Sequence, residues 1–201
     1  MDKWEYITYA RERLAFDELL LLQLGVMARR TEWQSQPAMH LEVSDDWLAD
    51  FQESLPFSLT NAQKRAINII RGDMATDIPM NRLLQGDVGS GKTLVATVTL
   101  AMAALNNKQA ALMAPTSILA EQHYKNISAL YRQMPGLENC RVALLTGAIS
   151  QAEREEVYAG LADGSVSLVI GTHAIIQQGV EFNNLAAAVI DEQHRFGVQQ
   201  R

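Results

Sequence analysis

The sequence predicts an α/β fold, a parallel sheet covered by helices on both faces, preceded by a purely helical segment. Three observations predict it. From Asn81 onward, short apolar runs alternate with amphipathic stretches, whereas residues 1–80 carry only helical patterns. The apolar runs are nearly continuous rather than alternating, as strands buried on both faces are. Charge shifts at the same point: residues 1–80 hold eight basic and 13 acidic residues, and residues 81–201 hold nine and ten.

In order, Leu14–Arg30 (LAFDELLLLQLGVMARR) is apolar on more than one face and predicts a helix packed between other elements. Ser44 is suited to cap a short helix over Asp45–Ser54, and Thr60 one over Asn61–Met74, with Asp77 and Pro79 beyond its end. Strands are expected at Arg82–Gln85, Ala110–Ala114, Val142–Thr146, Ser167–Ile170 and Ala186–Ile190. Helices fill the gaps at Lys92–Leu105, Ile118–Gln133 and Gln151–Leu161, with a short turn after His173. Domain boundaries follow as a helical linker over 1–54 and an α/β domain over 55–201.

Composition bounds the function. With 201 residues, 48% of them hydrophobic, the chain can bury a core without staples. The single cysteine, Cys140, excludes an internal disulfide framework and fits a reducing compartment. It has no metal-ligand spacing with the four histidines, so a structural metal is not expected. A net charge of −6 argues against a general basic nucleic-acid coat. The N-terminus lacks the apolar stretch of a leader, and the longest run free of Asp, Glu, Lys, Arg and His, Thr93–Asn107, is too short for a membrane span, so a soluble cytoplasmic protein is expected.

The chemistry lies in two places. Gly86-Asp87-Val88-Gly89-Ser90-Gly91-Lys92-Thr93 matches G-x-x-x-x-G-K-[ST] in full, between an expected strand and an expected helix. Glycines let backbone N–H groups curl around a phosphate, and the helix N-terminus adds positive charge. Lys92 is placed to reach the β- and γ-phosphate oxygens of ATP, and the Thr93 hydroxyl to hold Mg2+. The second place is the apolar run ending in Asp191-Glu192, where Asp191 would hold Mg2+ and Glu192 would orient and deprotonate the attacking water. The expected catalytic residues are Glu192 and Lys92.

Asp191-Glu192-Gln193-His194-Arg195-Phe196-Gly197-Val198, taken with the phosphate loop, resembles superfamily 2 helicases, and most closely the RecG family of ATP-dependent DNA helicases. Met113-Ala114-Pro115-Thr116, Leu119-Ala120-Glu121-Gln122-His123 and Gly171-Thr172-His173-Ala174 extend the resemblance, as does Arg13–Leu24, which is similar to the segment joining the wedge domain to the motor. The related Mfd translocases typically have Asp-Glu-Glu-Gln where Asp191–His194 stand, so Gln193-His194 favours RecG. Ser117 departs from the family, whose members usually have Glu there, and Ser58 is variable.

The resemblance implies a RecA-like P-loop domain and an ATP-driven motor for branched, single- or double-stranded DNA at replication forks and recombination junctions, in repair and recombination. By position, Leu55–Gln63 corresponds to an adenine-reading motif, with Gln63 satisfying the base edge and Phe57 covering the ring. Pro115, Thr116, Thr146, Gly147, Gly171, Thr172 and His173 follow expected strands, and so share one sheet edge. At the family's positions they are expected to hold DNA phosphates through hydroxyls and amides. Gln193, His194 and Arg195 are expected to couple nucleotide state to DNA. A motor of this family also needs a second RecA-like domain and a wedge domain, so the 201 residues are expected to be its ATP-binding half, with little turnover. An Mfd-like translocase and a non-catalytic nucleotide-binding module are the alternatives.

Overall fold

A computed structural model describes residues 3–192. The element order is α1 (Lys3–Gln34), α2 (Asp45–Ser54), α3 (Asn61–Met74), α4 (Lys92–Leu105), β1 (Gln109–Met113), α5 (Ser117–Tyr131), β2 (Val142–Leu145), α6 (Gln151–Ala162), β3 (Leu168–Gly171), a 3-10 turn (His173–Ile176) and β4 (Leu185–Ile190). The strands form one fully parallel sheet in the order β2-β3-β1-β4.

Period-two alternation within these short strands divides the core between the two faces. Ala110, Leu112, Leu168 and Ile170 join a large cluster with Leu48 and Phe51 of α2, Ile67 and Ile70 of α3, Val98 and Leu100 of α4, and Ile127 of α5. Ala111, Ala143, Leu145 and Val169 face a smaller cluster with Val157 and Leu161 of α6 and Ala174 and Ile175 of the 3-10 turn. The expected three-layer α/β architecture is therefore present.

Helix starts follow the expected chemistry. The Ser44 hydroxyl accepts from the Trp47 N–H at 3.1 Å. Thr60 and Gln63 form a reciprocal capping box at the start of α3. Ser150 and Glu153 do the same at α6. Across the fold, the Trp47 indole donates to Pro135 O at 2.8 Å and the Asn106 amide to Glu42 O at 3.0 Å, tying α2 and the segment before it to the α/β core.

Two expectations are corrected. Arg82–Gln85 is not a strand but an exposed connection, with Leu83 73% exposed, so the sheet has four strands among the described residues rather than five. A strand persists only where a neighbour accepts its backbone hydrogen bonds. Edge strand β4 pairs with β1 alone and leaves Leu185, Ala188 and Ile190 exposed. The second correction concerns Leu14–Arg30. It lies inside the much longer α1, yet Leu19, Leu21 and Leu22 are each more than 60% exposed instead of being packed between elements. Its Leu- and Arg-rich sequence has no proline before Pro37 and a single glycine, Gly25, so it propagates as a helix without a core. Trp33 anchors its end, donating to Pro79 O at 3.1 Å. Among the described residues, no helix is long and apolar enough to cross a membrane.

Candidate nucleotide site and sheet edge

Because the strands are parallel and nearly in register, their carboxyl ends align. Met113 is level with Gly171 and with Ile190, and Leu145 is level with Gly171. Backbone bonds carry the alignment one residue further: Ala114 N–H donates to Gly171 O, Thr172 N–H to Leu145 O, and Asp191 N–H to Met113 O, at 2.8, 3.2 and 2.8 Å. The turns holding Thr116, Thr146, Thr172 and Asp191 thus leave one edge of the sheet.

The loop Gly86–Thr93 runs into the N-terminus of α4. Gly91, at φ 82°, and Gly89, at φ 79°, adopt left-handed backbone that other residues resist. A Cβ at Gly91 would also meet Gln63 Nε2, so that amide would have to move aside. Gln63 is the clamp between α3 and the loop: its Nε2 donates to Ser90 O at 3.0 Å, while Oε1 accepts the Thr60 N–H at 2.9 Å. Its amide therefore presents the donor–acceptor pair suited to an adenine edge, with both halves engaged here. Phe57, before α3, is 54% exposed.

Inside the loop, Lys92 Nζ donates to Gly86 O at 2.7 Å and to Asp87 O at 2.8 Å. The ammonium is thereby folded back over the curl of the loop, where an anion would compete with these carbonyls for it. Val88, Ser90 and Thr93 are exposed on the same turn.

Asp191, directly after β4, meets this loop electrostatically. Its carboxyl is held below the usual carboxylate range, first by the hydrogen bond from His123, then by the Glu192 N–H and last by the positive charge of Lys92, against the opposing effect of burial. His123 Nε2 lies 2.9 Å from Asp191 Oδ2, and its side chain is only 12% exposed. Glu192 is exposed and held at φ 48°, a left-handed conformation unusual for a non-glycine residue. Thr93 and Asp191 offer a hydroxyl and a carboxylate, the hard oxygen donors that Mg2+ prefers. Among the described residues, no group of three or more His, Cys, Asp or Glu could hold a metal ion. By its chemistry, one hydroxyl and one carboxylate, the pair would fit a Mg2+ whose other positions are taken by phosphate and water oxygens.

The other expected site residues separate by exposure. Thr116, Gly147 and His173 are exposed at the sheet edge and Pro115 is half-buried, whereas Thr146 and Thr172 are buried. The Thr116 hydroxyl caps α5, accepting the Leu119 N–H, and the Thr146 hydroxyl accepts the Ala148 N–H. Gly171 has a backbone reason to be glycine, since a Cβ there would lie 1.9 Å from Leu145 O. Gln193, His194 and Arg195 lie outside the described residues.

Sequence reasoning missed two polar residues. His123 was named only as the end of the Leu119–His123 motif, and nothing local signalled its contact, because its partner is 68 positions away. Gln109, only 3% exposed, donates to Leu161 O and Val166 O and accepts the Asn184 N–H, joining the end of α6 to the approaches of β1 and β4. An amide opening an otherwise apolar strand was the only available hint.

Residues 60–201 match the DEAD/DEAH box helicase family. The chain belongs to that family. Within it, the sequence is 48% identical over 196 residues to the ATP-dependent DNA helicase RecG of Thermotoga maritima, covering 98% of this chain and 25% of that protein. It is 46% identical over 198 residues to the ATP-dependent DNA helicase RecG of Bacillus subtilis, covering 98% of this chain and 28% of that protein. The solved structure of a RecG bound to a three-way DNA junction superposes with a TM-score of 0.84 at 46% identity, over 96% of this chain and 26% of that one. A hypothetical ATP-dependent RNA helicase from Sulfolobus tokodaii shares the fold alone, with a TM-score of 0.54 at 18% identity over 75% of this chain and 42% of that one. The resemblance to RecG read from the motifs is borne out, and the chain spans about a quarter of the length of the curated relatives quoted.

Proposed function

We propose that this chain is the ATP-binding half of a RecG-type DNA motor that acts on branched DNA in repair and recombination. The observation that carries the reading is the loop Gly86–Thr93 entering the N-terminus of α4, with Lys92 Nζ folded back over its curl onto Gly86 O and Asp87 O. In this reading, residues 55–201 are the first RecA-like domain and residues 1–54 its linker, with α2 packed onto the motor core.

The residues divide the work. The N–H groups of Gly86, Asp87, Val88, Gly89, Ser90 and Gly91 are suited to wrap the phosphates, and Lys92 exchanges its two loop carbonyls for phosphate oxygens. Gln63 exchanges its bond to Ser90 O for the edge of adenine, with Phe57 covering the ring. Thr93 and Asp191 would hold Mg2+, which supplies charge neutralisation of the phosphates. Glu192 orients a water for in-line attack and takes its proton. Thr116, Gly147 and His173, with Pro115, offer exposed positions for DNA phosphates. The buried Thr146, Gly171 and Thr172 shape the turns behind them. Gln193, His194 and Arg195, next along the chain from Glu192, relay nucleotide state to DNA.

Completion of such a site by an arginine from a second RecA-like domain is worth about 10³–10⁵ in rate. The 201 residues alone are therefore expected to bind Mg2+–ATP and turn it over slowly. The test is fluorescent-nucleotide binding together with ATPase assays with and without branched DNA. Lys92→Ala should weaken binding at least about tenfold, while Glu192→Gln should leave binding intact and remove residual hydrolysis. Binding indifferent to Lys92→Ala would refute the nucleotide site, and fast DNA-stimulated turnover by these residues alone would refute the half-site.

A further inference from the structure

We infer that His123 is a positioning residue for the metal-side carboxylate: it pins Asp191 Oδ2 from α5, so that the other carboxylate oxygen is presented to the Mg2+ bound with nucleotide. This rests on the proposed nucleotide site and adds to it a residue from outside the phosphate loop and the strand-end motif.

Three observations carry it. The contact is short, 2.9 Å between His123 Nε2 and Asp191 Oδ2, and joins residues 68 positions apart. It is sheltered on the histidine side, where the ring is 12% exposed, while the Asp191 side chain remains 37% exposed and so open to a ligand. The carboxylate is further fixed by the Glu192 N–H. An ionised carboxylate only accepts, so Nε2 carries the proton and donates.

The physical consequence is orientational. A carboxylate at a strand end can rotate about χ2, and a metal bridging protein and phosphate oxygens tolerates little misplacement. Fixing one oxygen by a sheltered donor restricts that rotation before nucleotide arrives. Partners of this kind behind a metal-binding carboxylate are commonly worth 10–100-fold in metal affinity or activity. His123 lies inside α5, whose first turn is locked by the Thr116 cap and whose Ala120 and Ile127 are buried, so the donor is held by a rigid element rather than a loop.

The experiment measures the affinity of a fluorescent ATP analogue for the chain with Mg2+ and with EDTA, in the unaltered protein and in His123→Ala, His123→Phe and His123→Gln. The Ala and Phe variants should lose about tenfold of the affinity gained from Mg2+ and keep the metal-free affinity. His123→Gln, whose amide reaches a similar distance and still donates, should recover most of the loss. His123→Phe fills the ring's volume without a donor, so it tests the inference even where the alanine variant unfolds. Unchanged Mg2+ dependence in the Ala and Phe variants would overturn the inference, as would an equal loss with and without Mg2+, the signature of packing alone. Failure of the underlying site reads differently. If Lys92→Ala leaves binding unchanged, the nucleotide site is wrong. If Lys92→Ala abolishes binding but the unaltered chain gains nothing from Mg2+, the metal assignment of Asp191 is wrong, and the role of His123 falls with it.

Discussion

Gly91→Ala tests the clamp between α3 and the phosphate loop. An L side chain held in left-handed backbone costs about 1–2 kcal/mol, and Gly91 sits at φ 82°. The new Cβ would also fall 2.2 Å from Gln63 Nε2. The amide can move aside only by releasing Ser90 O, and its other end is tethered to the Thr60 N–H. Losing one such hydrogen bond costs about 1 kcal/mol. The expected destabilisation is therefore about 2–3 kcal/mol. Gly89→Ala is the matched control: its φ is 79°, but nothing lies within 4 Å of a Cβ there, so it carries the backbone cost alone. Both substitutions remove the same glycine freedom from the unfolded chain, which cancels in the comparison. Urea denaturation of both variants should place Gly91→Ala about 1 kcal/mol below Gly89→Ala. In a Gln63→Ala background the extra cost should vanish, giving a coupling energy of that size. Equal destabilisation by the two glycine substitutions would refute the clamp.

Two further predictions follow from buried polar groups. Gln109→Met, which keeps volume but not hydrogen bonds, should strand Leu161 O, Val166 O and the Asn184 N–H and cost about 3 kcal/mol, read as a lower urea midpoint with unchanged slope; a loss under about 1 kcal/mol would show that water takes over these partners. Burial pushes the Cys140 thiol above its ordinary range, and Glu138 adds to this against a hydrogen bond with Ser167. The native state thus holds this proton more tightly than the unfolded chain. Its contribution is fully present below the ordinary thiol pKa and is lost as pH rises through the native one. At pH 8, Cys140 should react with a disulfide reagent more slowly in the native chain than in urea, and equal rates would contradict the burial.

Much of the fold could be read from local signals because local chemistry produces it. Thr60-Asn-Ala-Gln63 states both halves of its capping box in four residues, and Gly86–Thr93 states the whole G-x-x-x-x-G-K-[ST] motif in eight. The parallel pattern followed from continuous apolar runs, four of which pair as expected to within a residue or two. Arg82–Gln85, with only Leu83 and Leu84 apolar, failed to pair, because a strand depends on a neighbour that its own residues do not specify. Leu14–Arg30 likewise announced a helix, but not the absence of anything packed on it among the described residues.

The sequence by itself thus determined the family, the Gly86–Thr93 loop motif, the acidic strand end and, Arg82–Gln85 apart, the order of helices and strands, since each is written in contiguous residues. Only the tertiary structure decided what those residues face. Parallel register brought four strand ends to one edge, buried Thr146 and Thr172 while leaving Thr116 and His173 exposed, engaged Gln63 with Ser90, and set His123 against Asp191. Such contacts join residues tens of positions apart, and local periodicity does not encode them, because they exist only after the sheet has aligned its strands.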